Sequence, residues 1–464
     1  MWWTWMAAWA AEGPIKLSKE VARVNEEVRL ELAPETCVSI TEAVFHDLAN
    51  LRADEVDRAD LARKADDIVL DIFRARLQTQ AALTRFAEAG ELEHDCVTGV
   101  RRADLASRYL VDHIYEALPD DTLPGSWMVA GKKPRFAKDH PELRTGDVLV
   151  TRAVALSSAG IAHLGGIDSQ FSHNALVYVD DAGKAWTVEA YMEKGALVQP
   201  VEDFLSDGLG RVVVLRHHDA ALATEAGTAA WERVAHGPFI PYDDLFHHDD
   251  GDRLFCSEVG RWAYGSLIGR PNTIPWDLTR FPRETNARFF DAMGIEGTET
   301  SMPSDILYDP NFDIVAEWRD PAAVPTMRRH DAIAESAYRW MEEERYEVDP
   351  SASDAAFVTV GLTLRRLPVL SYAVRDRLLP TSNRDFLVTG LAFDTAGRVV
   401  DEELVRRRGE GRNVTRTEWL ETLEAMRLED LSTWEGAPKD AAFHGKMHPG
   451  ATPAPEVSES SETP

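Results

Sequence analysis

Basic residues are scarce in this chain of 464: 50 Lys and Arg stand against 79 Asp and Glu, a formal net charge of −29. A nucleic acid is gripped by a basic footprint, so this balance speaks against a DNA or RNA partner. Cysteine is scarcer still. Cys37, Cys96 and Cys256 are the only three, too few and odd in number for a disulfide framework. That points to a reducing compartment and a cytoplasmic location, with Cys37 and Cys96 as structural residues. No apolar run approaches the roughly 18–20 residues a bilayer span needs. The opening MWWTWMAAWAAEGP is apolar but has no basic residue ahead of it, as a secretory signal requires. It reads as a helix or strap docking its tryptophans on the body. An interfacial membrane or partner contact, or a poorly formed export signal, are the alternatives.

Metal and phosphate signatures are missing as well. His217-His218 and His247-His248 have no CxxC or HExxH spacing beside them, and neighbours on a strand point to opposite faces. HHDDGD lacks the spaced ligands and closing Glu of a calcium loop. Gly165-Gly166 fits no phosphate loop, and Ser157-Ser158 has no nucleophile-elbow context. No metal and no cofactor is expected.

What is present suffices for two or three domains, with 44% hydrophobic residues. Between about 40 and 118, Leu61, Ala65, Ile68, Val69, Ile72, Phe73, Leu77 and Phe86 recur at helical spacing with charges between them. A second helix starts near Arg102 and ends near Pro119. The texture then changes. GDVLVTR (146–152), FSHNALVYV (171–179), KAWTVEAYM (184–192), RVVVLRH (211–217) and PNFDIVAEW (310–318) are β-branched and aromatic runs separated by turn residues. GTAAWERVAHG (227–237) and the stretch from Cys256 to about Leu267 are helical. Helices return after about 326, in DAIAESAYRWMEEERYE, LRRLPVLSYAVRDRLL and RTEWLETLEAMRLEDL. The middle one sets Arg365, Arg366, Arg375 and Arg377 around apolar positions and is read as packing on its own protein, an anionic membrane being the alternative. The expected organisation is a helical region over 1–120, an α+β domain over 121–322, a second helical region over 323–448 and a disordered tail over 449–464.

Two stretches carry chemistry. In RLFCSEVGRWAY, Cys256 falls at the predicted first turn of a helix, where unpaired N–H groups and the helix dipole ease loss of the thiol proton. A catalytic thiol needs a base and a group to orient it. FSHNALVYVDDAGKAWTVEA reads as a hairpin with His173 on its first strand and Glu189 on its second. A loop centred on Asp181 sets the two directly opposite. A turn centred on Ala182 makes them diagonal neighbours on one face, and a two-residue loop separates them. An imidazole beside a carboxylate is held in one tautomer, with its cation stabilised. A plain cross-strand His–Glu pair on a wet face is the alternative.

In order, GDVLVTR, SQFSHNALVY, TVEAYMEKGALVQPVEDFL, RVVVLRH, FIPYDDLF, RLFCSEVGRWAY and MPSDILYDPNFDIVAEW resemble the permuted papain-like amidases, the YiiX/YaeF group of the NlpC superfamily of cysteine hydrolases. In that group the histidine strand comes first and the cysteine helix last, as here. The resemblance spans about 140–320. It implies a circularly permuted papain-like α+β fold, an antiparallel sheet with a cysteine helix, flanked here by N- and C-terminal helical regions. It also implies Cys256 as nucleophile, His173 as base, Glu189 as orienting residue and Tyr242, in PYDDLF, as an aromatic residue near the site that contacts substrate. The reaction it implies is hydrolysis of an amide, in a peptide or cell-wall peptide, through a thioacyl intermediate. The Cys256 backbone N–H is the natural first oxyanion donor. An acyl-lipid substrate, as in acyltransferases of the lecithin:retinol type, and a non-catalytic amino-acid or peptide-binding module remain open alternatives. Membrane contact stays open too.

Overall fold

The computed structural model describes residues 14–118, 127–166, 168–192, 194–247, 251–271, 279–348, 355–360, 383–409, 413–433 and 447–450. The tryptophan-rich start, the arginine-bearing stretch 364–379 and nearly all of the expected tail lie outside them. Among the described residues no helix is long and apolar enough to cross a membrane.

Four helices lead: α1 (Leu17–Glu31), α2 (Cys37–Ala49), α3 (Arg58–Ala89) and α4 (His94–Ala117). Asp57 starts α3 by accepting the N–H groups of Ala59 and Asp60, and Gly90 ends it in the left-handed conformation. Helix α4 begins eight residues earlier than its apolar rhythm announced, and Cys96, Val97 and Val100 are buried in its opening turns. Gly99 lets α2 and α4 close up, since a Cβ there would collide with the Thr41 hydroxyl. The same approach joins Cys37 to Cys96 in a disulfide, their Cα atoms 5.3 Å apart. This corrects the sequence reading. The two cysteines are one bond, the count of three is a pair plus one free thiol, and the argument for a reducing compartment loses its basis.

The centre is an eight-stranded antiparallel sheet in the order β2-β1-β10-β7-β3-β4-β5-β6. Its strands are β1 (Trp127–Val129), β2 (Arg135–Ala137), β3 (Val148–Ala153), β4 (His173–Val179), β5 (Ala185–Tyr191), β6 (Gly195–Pro200), β7 (Leu209–His217) and β10 (Phe312–Arg319). Along this segment lie α5 (Leu156–His163), α6 (Val201–Leu205), α7 (Ala220–His236), α8 (Glu258–Tyr264) and α9 (Arg283–Met293). Between α8 and β10 a small ladder pairs β8 (Thr279–Arg280) with β9 (Glu299–Thr300). Alternation divides the sheet. Val148, Val150, Leu176, Val188, Val213 and Leu215 share one core with the N-terminal helices and α8. Leu149, Ala175, Val177, Val212 and Val214 build a thinner core with Val201 and Phe204 of α6. Each such fully buried Val or Leu contributes roughly 1.5–3 kcal/mol. A third core joins α5 and α9 to the C-terminal helices α10 (Val324–Glu343), α11 (Arg384–Arg408) and α12 (Arg416–Thr433). Strands β11 (Tyr346–Val348) and β12 (Met447–Pro449) pair at its edge.

The N-terminal helices meet the sheet through charge as well as apolar surface. Arg76 of α3 binds both Asp104 of α4 and Glu317 of β10, and Arg319 binds Glu317 and Asp112. Asp112 also takes Arg211 of β7, and Arg108 reaches Asp104 at 2.6 Å. All are 6% exposed or less. Paired arginines hold the Glu317 carboxyl down at about 2 although burial pushes it up.

Candidate active site

The hairpin of β4 and β5 fixes the first two side chains. Asp180 accepts the N–H groups of Ala182 and Lys184 and the Trp186 indole N–H, and Gly183 takes a positive φ of 80°. This centres the turn on Ala182, so Ala175 pairs with Glu189. His173 and Glu189 are therefore diagonal neighbours on one face, the second of the three registers the sequence left open. The diagonal gap suits a long carboxylate arm: His173 Nε2 lies 2.8 Å from Glu189 Oε2. Glu189 is fully buried, and His173 opens only at one edge.

Four further groups hold this pair, and the sequence reading gave none of them a role in the site. Thr187 donates its hydroxyl to Glu189 Oε1 at 3.0 Å, and Gln199 of β6 donates its side-chain N–H to the same oxygen at 2.6 Å. Tyr191 stacks on the His173 ring at 4.7 Å between centroids, with Phe204 at 6.1 Å. The signal that could have found them is period two. Thr187, Glu189 and Tyr191 share a face, and the β5–β6 register sets Gln199 opposite Thr187.

Cys256 arrives from the other side of the site. Leu254 bridges to Tyr242, with Asp243 N–H donating to Leu254 O and Leu254 N–H donating to Pro241 O. The tyrosine loop is thus laced to the approach of the cysteine. Cys256 then occupies a turn, closed by Glu258 N–H donating to Phe255 O, ahead of the Ser257 cap of α8. The sequence placed it within the first helical turn. The helix instead starts at Glu258, because residues 255–258 are taken up by that turn, and it ends at Tyr264 rather than near Leu267. Val259, Trp262 and Ala263 bury α8 against the sheet core, fixing the cysteine at the start of β4. The thiol lies 3.7 Å from Ser172 O, and Tyr242 directs its hydroxyl to Sγ at 3.9 Å. Tyr242, expected to meet substrate, thus also touches the sulfur.

Electrostatics follow from these neighbours. Burial would lower the His173 imidazole, but its interactions with Cys256 and Glu189 raise it from 6.5 to about 10. Burial would raise the Cys256 thiol, yet His173, then Tyr242 and Ser257, bring it below its ordinary value. Both directions favour a thiolate beside an imidazolium. Direct partners account for the lowered thiol. Burial and the nearby sulfur push Tyr242 well up, so it stays a hydrogen-bond donor.

His217 and His218 have other partners. His217 accepts from Asp219 N–H and packs on Tyr264 and Phe312, while His218 pairs with Asp313. Among the described residues no three His, Cys, Asp or Glu side chains are grouped to hold a metal.

Residues 142–316 match the family of permuted papain-like amidase enzymes, YaeF/YiiX, C92. That segment runs from the approach to β3 through β10 and contains every side chain of the site. No curated protein matches the chain.

Proposed function

We propose, from the match of residues 142–316 to the permuted papain-like amidase family, that this segment is a hydrolase in which Cys256, His173 and Glu189 act as nucleophile, base and orienting group on an amide of a peptide or cell-wall peptide. The observation that carries the reading is the convergence of the one free thiol, the imidazole and the buried carboxylate at the start of β4. The Cys256 thiolate attacks the amide carbon. The pair of electrons moves to the carbonyl oxygen, held by the Cys256 backbone N–H as proposed donor. His173 gives its proton to the departing amine nitrogen as the C–N bond breaks, leaving a thioester. Water then adds to the thioester carbon while His173 takes one of its protons, and the acid leaves as the C–S bond breaks and the thiolate–imidazolium pair re-forms. Glu189 holds the ring through Nε2 in both halves, so the other ring nitrogen, Nδ1, does the proton transfer.

A panel of peptide amides and acyl esters, run with wild type and Cys256→Ala, tests this. Amide turnover lost in the variant supports it. Turnover of long-chain acyl esters alone would assign an acyl-lipid substrate instead, and tight ligand binding without turnover would assign a binding module.

A further inference from the structure

We propose that Thr187 and Gln199 form a clamp that orients Glu189, and through it sets the pH range in which Cys256 is a thiolate. The proposal rests on the triad reading above. Its basis is the division of labour between the two carboxylate oxygens. His173 takes Oε2 at 2.8 Å, while Thr187 and Gln199 both take Oε1, at 3.0 and 2.6 Å. The last torsion of a glutamate is broad and roughly two-fold, so a carboxylate held at one oxygen alone can rotate away from its partner. Two donors on Oε1 stop that rotation and leave Oε2 aimed at the imidazole. The Thr187 hydroxyl has one proton and two acceptors in reach, and Glu189 at 3.0 Å is nearer than Gln199 O at 3.4 Å.

The clamp also satisfies the buried carboxylate. Glu189 is fully buried, and a carboxylate out of water is tolerable only when hydrogen-bonded. Gln199 is suited to this because it donates without adding charge. An arginine or lysine there would draw Glu189 away from His173 by direct competition. Gln199 lies on β6, the edge strand, and the chain turns at once into α6, whose Phe204 lies against the imidazole. One short stretch, 199–204, therefore holds both members of the His–Glu pair. These are positioning residues; neither lies on the sulfur.

The test is the ultraviolet titration of the Cys256 thiolate, with Cys256→Ala as blank. Because Cys37 and Cys96 are joined, the signal belongs to one thiol. Thr187→Val keeps the shape and removes the hydroxyl, Gln199→Met keeps the bulk and removes the donor, and Thr187→Ser restores the hydroxyl. Losing one donor loosens the aim of Oε2 at the imidazole and so forfeits part of one charge-assisted hydrogen bond, and Thr187→Val and Gln199→Met should each raise the thiol midpoint by roughly 0.5–1 unit. That is an approximately 3- to 10-fold loss of thiolate on the acid side. Thr187→Ser should titrate with wild type. Folded Thr187→Val and Gln199→Met proteins that titrate with wild type overturn the clamp, as does a Thr187→Ser midpoint displaced as far as that of Thr187→Val. A wild-type midpoint at the ordinary thiol value overturns the triad reading itself, a result distinct from either.

Discussion

Replacing Glu189 by glutamine should do more damage than deleting the side chain. Gln199 presents an N–H to the Oε1 position at 2.6 Å, and Thr187 a hydroxyl at 3.0 Å. Both demand an acceptor. A glutamine at 189 must therefore turn its carbonyl toward them and its NH2 toward His173 Nε2. Nε2 then has to accept, which places the ring proton on Nδ1, facing the sulfur, where it blocks uptake of the thiol proton. Alanine leaves room for water to accept from Nε2 and keeps the productive tautomer. The magnitude follows in two ways. The rise of His173 from 6.5 to about 10 is a net gain of about 5 kcal/mol, what Cys256 and Glu189 supply beyond the opposing effect of burial. A hydrogen bond to a charged group accounts for about 1.5–3 kcal/mol of that, or roughly 10- to 150-fold. Independently, a thiol back at its ordinary 9.0 is only about 1% thiolate at pH 7, which caps the loss near 100-fold. A more basic thiolate is also a better nucleophile, which returns roughly tenfold of it. Alkylation of Cys256 by iodoacetamide at pH 7 should thus slow about tenfold in Glu189→Gln, and less in Glu189→Ala. Equal rates in Glu189→Gln and wild type, or a slower Glu189→Ala, would refute the tautomer argument.

Four other outcomes follow from the structure. The rate of acyl transfer should fall on the alkaline side with a midpoint near 10 as His173 loses its proton, and Glu189→Ala should move that limb to lower pH. Arg76→Ala leaves Asp104 and Glu317 buried without their shared cation and should cost about 3–5 kcal/mol in chemical denaturation. Because the folded Glu317 carboxyl sits at about 2 against an ordinary 4.5, its contribution is present above pH 4.5 and is lost as pH falls through 2; Glu317→Gln should flatten that acid limb. Thiol titration of unfolded protein should find one thiol without reductant and three with it, and Cys37→Ser should lower stability by about 2–5 kcal/mol.

What could be read from the sequence was local. His173 and Glu189 share a face because strands repeat every two residues, and Asp180 with Gly183 chose between the registers left open. Val259, Trp262 and Ala263 marked the buried side of the cysteine helix, though not its first residue. What escaped depends on tertiary packing. GALVQP has no polar alternation and ends in proline, so nothing in it announces a strand, still less that Gln199 reaches across to Glu189. Cys37 and Cys96 are 59 residues apart and meet only because α2 packs on α4. The charges of α3 and α4 simply fall between apolar positions in the sequence, yet Arg76, Asp104, Arg108 and Asp112 are buried against arginines and a glutamate of the sheet. Helix α11 also went unread; Asn383 caps it, but its apolar positions are interrupted by Thr389, Asp394 and Gly397.

Intact mass measurement during incubation with an activated acyl ester, followed by peptide mapping, puts the nucleophile itself to the question. The account predicts one acyl group on the peptide holding Cys256, gained quickly and lost to water in wild type, and absent from His173→Ala. Acylation elsewhere with residue 256 unmodified, or an equal adduct when the imidazole is gone, would contradict it.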